Sequence, residues 1–166
     1  MRAVLLAVLM LSAATPLAAA APANPQIDYP GFAALTSEVA GYRAQRLLDW
    51  RHFAAMSKRQ DVLLLDARSA PAFREGHIAG AINLPLPDFT ADSLAAAIGP
   101  ADRPILIYCN NNFSNNASPV PLKRAALSLN IQTFINLIGY GYRNVHELGE
   151  VIDFTSAEVP WVKDAG

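Results

Sequence analysis

Three short, largely apolar runs constrain what this chain can fold into: residues 62–65, 81–84 and 105–108. Each is stopped by a turn-forming residue, Asp66, Pro85 and the Cys109-Asn110 step in turn. Runs of this length rich in Val, Ile and Leu read as buried strands and are too short to be good independent helices. Between them lie helical patterns. One covers 69–74, with Pro71 in its first turn where a missing N–H costs nothing. Another is capped by Thr90 or Asp92, runs through Leu94 and Ile98, and ends at Gly99-Pro100. Alternation of this kind predicts a mainly parallel α/β sheet with helices on both faces. In such sheets sites form beyond the carboxyl ends of the strands, and the run 105–108 ends on the only cysteine in the chain, Cys109.

The remaining segments fit around that sheet. Pro22, Pro25 and Pro30 make 21–30 an extended lead-in. Phe32, Leu35, Val39 and Tyr42 share one face of a helix over 31–42. Residues 46–48 form a short strand, and Asp49 caps a helix through Trp50, Phe53 and Met56. After Cys109, Pro119 and Pro121 prevent an immediate helix and lengthen the turn into a loop, with room for a short helix over 123–129. Ile131, Phe134, Ile135 and Ile138 then have helical spacing, with Asn130 as the expected N-cap and Gly139 as the stop. Residues 141–149 read as a turn into a last short strand, and the chain from Phe154 as irregular, with Trp161 packing onto the body.

The hydrophobic fraction of 52% owes part of its height to residues 1–20. Met1-Arg2, an unbroken apolar run over 3–11 and Ala18-Ala19-Ala20 have the pattern of a secretory signal peptide. The run falls short of the roughly 20 residues a bilayer span needs. The expected organisation is therefore a signal peptide over 1–20, a lead-in and helix over 21–45, a domain over 46–153 and a tail over 154–166, in a periplasmic or secreted protein. Arg2 is one of 13 basic residues against 14 acidic, so the chain without it carries a net charge of −2. It has no basic stripe, which argues against nucleic acid or stable membrane association as a partner. His52, His77 and His146 lack metal-ligand spacing, and neither a metal nor another cofactor is expected.

A lone cysteine in an exported chain cannot close an internal disulfide. By position alone it is a small core hydrophobe. The residues after it offer a second reading. Asparagine tolerates positive φ and bonds its own backbone, so Asn110, Asn111, Asn112, Phe113 and Ser114 can curl back with successive N–H groups pointing inward. Such a ring favours an anion and would hold a nucleophilic thiolate.

Taken together, these segments resemble the rhodanese-like domain family. The resemblance rests on Leu65-Asp66-Ala67-Arg68 after a strand, on the run from Phe73 to Pro85 containing Gly76-His77-Ile78-Ala79-Gly80-Ala81, on Ile107-Tyr108-Cys109, and on Gly141-Tyr142-Arg143-Asn144-Val145-His146-Glu147-Leu148. It implies a three-layer fold with a central, mainly parallel sheet. It also implies that Cys109 takes a sulfane sulfur from a small donor as a persulfide and passes it to a thiol or other nucleophile. The backbone and side chains of residues 110–114 would bind the transferred sulfur, with Asp66, Arg68 and His77 in support. Tyr108-Cys109-Asn110-Asn111-Asn112-Phe113 is further similar to an exported single-domain group of the family.

The loop departs from the family pattern. Asn112 stands where a glycine is usual and Ser114 where a basic residue is usual. No charge lies between Cys109 and Lys123, so a dianionic donor such as thiosulfate has no obvious partner unless Lys123 or Arg124 folds over the cysteine. The residue six after Cys109 is Asn115, which excludes the arginine-bearing loop of the related phosphatases. Two functions are thus expected: a sulfurtransferase using a weakly charged donor, or a catalytically weak module that binds a partner protein or small ligand through the Asn-rich loop.

Overall fold

The structure is a computed structural model and describes residues 24–164. The expected signal peptide lies outside the described residues. Helix α1 (Tyr29–Ala44) starts earlier than expected because the Asp28 carboxylate accepts the Gly31 N–H at 2.8 Å, with Pro30 in the first turn. Strand β1 (Leu47–Leu48) and helix α2 (Trp50–Ser57) follow, with Asp49 capping α2 through the His52 N–H. Then come β2 (Leu63–Asp66), α3 (Ala70–Glu75), β3 (His77–Ile78), β4 (Ile82–Asn83) and α4 (Ala91–Ile98). Strand β5 (Ile105–Tyr108), α5 (Leu129–Gly139), β6 (Val145–Leu148) and β7 (Trp161–Val162) complete the chain.

Five strands form one sheet in the order β1-β6-β5-β2-β4, and every pairing in it is parallel. Alternation along the strands sends successive side chains to opposite faces. Leu63, Leu65, Ile105, Ile107 and Val145 pack under α1, α4 and α5 against Val39, Leu94, Ile98 and Phe134. Leu64, Leu106, Tyr108 and Leu148 pack on the other face against Phe53 of α2, Phe113, Val120 and Val159. Both faces are thus covered, which is why β2 and β5 are apolar without alternation. Each fully buried aliphatic or aromatic side chain contributes about 1.5–3 kcal/mol.

The chain beyond Phe154 departs from the irregular tail expected. Strand β7 pairs antiparallel with β3, His77 opposite Val162 and Ile78 opposite Trp161. The Trp161 ring meets Phe113 edge-on and stacks on Phe154 at centroid distances of 5.1 and 4.8 Å. It also lies so close over Gly76 that a Cβ there would come within 2.3 Å of the indole nitrogen. Two-residue strands carry no periodic signal, so a pairing between segments this far apart is invisible in sequence.

Candidate active site

Cys109 follows β5, the central strand, and has the parity of Ile105 and Ile107, so its side chain faces α5. Its backbone is extended, and Asn110–Asn112 after it form a single tight 3₁₀ turn. That turn is locked in both directions. Asn112 accepts the Cys109 N–H on Oδ1 at 2.9 Å, and the Asn112 N–H returns to the Cys109 carbonyl at 3.0 Å and faces the sulfur.

Three further backbone N–H groups, those of Asn111, Leu129 and Asn130, face the Cys109 sulfur closely enough to pull its pKa down. Two come from the first turn of α5. The first N–H groups of a helix have no partner within it, and the residue before this helix, Ser128, makes no side-chain cap bond. The helix begins one residue before the expected N-cap, so Asn130 is helical and contributes its N–H directly. The proline-bearing insertion after Cys109 is therefore a detour that returns the chain to the cysteine.

The expected cradle is corrected in its composition. Of residues 110–114, only Asn111 and Asn112 direct N–H groups to the sulfur. The Phe113 N–H bonds the Asn110 carbonyl and the Ser114 N–H bonds the Ile152 carbonyl. The amides hold the loop instead of facing a substrate. Asn110 donates to the Pro121 carbonyl at 2.8 Å, and Asn111 exchanges two bonds with the Lys123 backbone. Asn112 donates to the Leu148 and Glu150 carbonyls, and its Oδ1 accepts from Asn130 Nδ2. Asn112 does not take a left-handed conformation in place of the usual glycine; among the described non-glycine residues that conformation belongs to Asn116. Phe113 is fully buried against Tyr108, Phe154 and Trp161 and lines no part of the cavity at Cys109. Ser114 Oγ reaches only the Ile152 carbonyl, at 3.5 Å.

The supporting residues act elsewhere. Arg68 and Asp66 form a fully buried ion pair, and Asp66 also accepts the Tyr108 hydroxyl at 2.7 Å. Arg68 donates onward to the carbonyls of Gly76 and Pro119, which ties β2 to the inserted loop. Burial pushes the Tyr108 hydroxyl pKa up, with the Asp66 carboxylate adding to it, so Tyr108 stays a neutral donor. His77 bonds the Phe73 carbonyl through Nδ1 and stacks on the Phe73 ring at 3.7 Å, within the small sheet and away from the thiol.

The cation at Cys109 comes from none of the positions considered in the sequence. A cavity of about 290 Å³ has Cys109, Asn111, Asn130, Glu147, Glu150 and Arg43 in its wall. Arg43 belongs to α1 and grips Glu147 with two bonds, Nε to Oε2 at 2.7 Å and Nη2 to Oε1 at 2.6 Å. Glu147, 5% exposed, also accepts Asn130 Nδ2 at 3.2 Å. A signal for both residues was present. Arg43 lies four positions after the core residue Val39, hence on the same helix face. Glu147 has the inward parity of Val145 on β6. Lys123 lines a separate groove with Arg68, Pro85, Pro119 and Pro121.

Burial pushes the Cys109 thiol pKa up, and the N–H groups of Asn130, Asn111 and Leu129 pull against it. The Glu147 carboxylate adds to the rise. The resting side chain is accordingly a neutral thiol at neutral pH. Among the described residues no cluster of His, Cys, Asp or Glu could hold a metal ion.

The fold and site together define a parallel α/β domain with a buried cysteine at the carboxyl end of its central strand, its sulfur faced by backbone N–H groups. The chain is a member of the rhodanese-like domain family, whose sequence pattern matches residues 49–149. No curated protein matches it in sequence. The Alr3790 protein from Anabaena sp. superposes with a TM-score of 0.51 at 19% identity, over 70% of this chain and 80% of that one. A persulfide form of EanB, in a tetrahedral intermediate state with ergothioneine, superposes with a TM-score of 0.51 at 19% identity, over 70% of this chain and 28% of that one. A rhodanese from E. coli solved with anions matches over 62% of this chain and 99% of that one at 23% identity, with a TM-score of 0.43. At these identities the likeness is one of fold.

Proposed function

We propose that this protein is an exported sulfurtransferase that carries a sulfane sulfur as a persulfide on Cys109. The observation that supports this reading is the convergence of the Asn111, Leu129 and Asn130 N–H groups on the Cys109 sulfur. Donors placed where charge develops stabilise it without reorganising. In the loading step Cys109 gives its proton to solvent, and the thiolate so formed attacks the sulfane sulfur of a donor. A new S–S bond forms, and the donor's own bond to that sulfur breaks with its electron pair leaving on the rest of the donor. In the unloading step an acceptor thiolate attacks the outer sulfur, and the electron pair of the S–S bond returns to Cys109. Both steps move one sulfur with its six valence electrons and need no outside oxidant.

The alternative, a module that binds a partner through the Asn-rich loop, has less support. The side chains of Asn110, Asn111 and Asn112 are spent on backbone carbonyls within the chain. Intact mass spectrometry after incubation with a panel of sulfane-sulfur donors tests the choice. A gain of one sulfur on the wild type, absent from Cys109→Ala and reversed by thiol or cyanide, is the expected result. No adduct from any donor, in protein whose thiol still alkylates, would favour the binding module. Export rests on the pattern of residues 1–20, and the mass of protein recovered from a periplasmic or secreted fraction tests it, with a chain beginning at Ala21 expected.

A further inference from the structure

The walls of the Cys109 cavity carry one cation and two carboxylates, Arg43, Glu147 and Glu150. Arg43 and Glu147 satisfy each other, so the cavity as a whole is slightly negative. Two of these groups keep a bonding atom in reserve. Arg43 spends Nε and Nη2 on Glu147, and among the described residues Nη1 has no partner. Glu150 accepts the Trp50 N–H on Oε2 at 2.7 Å, and among the described residues Oε1 has no partner. Both residues belong to the wall of the cavity that holds Cys109, Arg43 half-buried and Glu150 exposed.

From this we infer that the sulfur donor is a zwitterionic hydropersulfide of the amino-acid type. Its carboxylate takes Arg43 Nη1, its ammonium takes Glu150 Oε1, and its outer sulfur reaches Cys109. The inference rests on the sulfur-carrier reading and names the substrate class of that same site. A dianion is disfavoured because Arg43 is already paired and Glu147 and Glu150 repel it. In the step itself the Cys109 thiol loses its proton to solvent, and the thiolate bonds to the outer sulfur of R–S–SH. The S–S bond of the donor breaks with its electron pair on the amino-acid thiolate, which leaves and takes up a proton from solvent, and the donor's own S–H proton stays on the new persulfide.

Four donors at equal concentration and ionic strength test this, with initial rates of sulfur gain on Cys109 read by intact mass. Cysteine hydropersulfide carries both groups, 3-mercaptopropionate hydropersulfide lacks the ammonium, cysteamine hydropersulfide lacks the carboxylate, and thiosulfate is the dianion. Cysteine hydropersulfide is expected to load at least about tenfold faster than each of the others, the scale of one charge-assisted hydrogen bond. Glu150→Gln keeps an oxygen for the Trp50 N–H and should equalise the cysteine and 3-mercaptopropionate donors. Arg43→Lys keeps the charge, loses the fork and should narrow the gap to cysteamine. Equal loading by cysteine, cysteamine and thiosulfate in the wild type would overturn the charge assignment and leave the sulfur carrier standing. No loading by any of the four would overturn the carrier reading and this inference with it.

Discussion

Arg43 and Glu147, separated by 104 positions, meet in a two-pronged ion pair in the wall of the cavity that Cys109 shares. Arg43 comes from α1, which precedes the stretch matching the family pattern. The N-terminal helix is therefore part of the site as well as of the core, where Val39 is buried. Glu147 sits in the second-innermost strand of the sheet, bonded to the first turn of the same helix that points N–H groups at the sulfur.

Removing the cation strands the acid. Arg43→Met is expected to cost about 2–4 kcal/mol in urea unfolding, because Glu147 is left buried with only Asn130 as partner. The same change should raise the Cys109 pKa further, since Glu147 already pushes it up and loses its neutralising partner. The double variant Arg43→Met with Glu147→Met should recover most of the stability and lower the thiol pKa below that of the single variant. Equal stability of the single variant and the wild type would show that the pair is solvated.

Alkylation of Cys109 should still accelerate above pH 9, the value of an ordinary thiol, because burial holds the folded thiol protonated. The linked effect on stability has a definite sign. A folded pKa above the unfolded one favours the protonated native state, so its contribution is fully present below the unfolded value and is lost as pH rises through the folded one. Chemical denaturation of the wild type against Cys109→Ala across alkaline pH should show the wild type losing stability faster. An alkylation midpoint near neutrality would contradict the picture of a resting neutral thiol.

Asn112 is a hub, with its side chain bonded to Cys109, Asn130, Leu148 and Glu150. Asn112→Ala leaves the Cys109 N–H without its acceptor, the Leu148 and Glu150 carbonyls without that donor and Asn130 Nδ2 with Glu147 alone, and is expected to cost about 2–3 kcal/mol. Asn112→Asp retains the acceptor oxygen but sets a second, charged oxygen against the Leu148 and Glu150 carbonyls and beside the sulfur, so sulfur loading should fall at least about tenfold and stability at least as far as in Asn112→Ala. Parallel measurement of thermal unfolding and loading rate separates the two effects.

The C-terminal segment should prove essential to the fold. Gly76→Ala forces the Trp161 ring away and should destabilise by about 1–3 kcal/mol. Truncation after Asp153 removes Phe154 and Trp161 from Phe113 and the strand partner from His77–Ile78. Circular dichroism and urea unfolding should show a larger loss for the truncation than for Gly76→Ala; a truncated protein as stable as the wild type would assign the small sheet no role.

Local physics made much of this fold legible in sequence. The apolar runs ending at Asp66 and Cys109, the caps at Asp49 and Thr90, and the stop at Gly99 each depend on neighbours a few residues away, and each stands where expected. The placement of Cys109 at a strand end follows from the same local pattern. What surrounds its sulfur does not. The Leu129 and Asn130 N–H groups, the Arg43 guanidinium and the Glu147 carboxylate arrive from elements that only packing brings together. Asparagine-rich sequence announced a turn that could bind an anion, whereas the tertiary structure turned those amides to backbone carbonyls across the loop. A side chain's bonding capacity is a property of its residue type, but its partner is decided by which unsatisfied carbonyl or N–H the assembled fold leaves within reach.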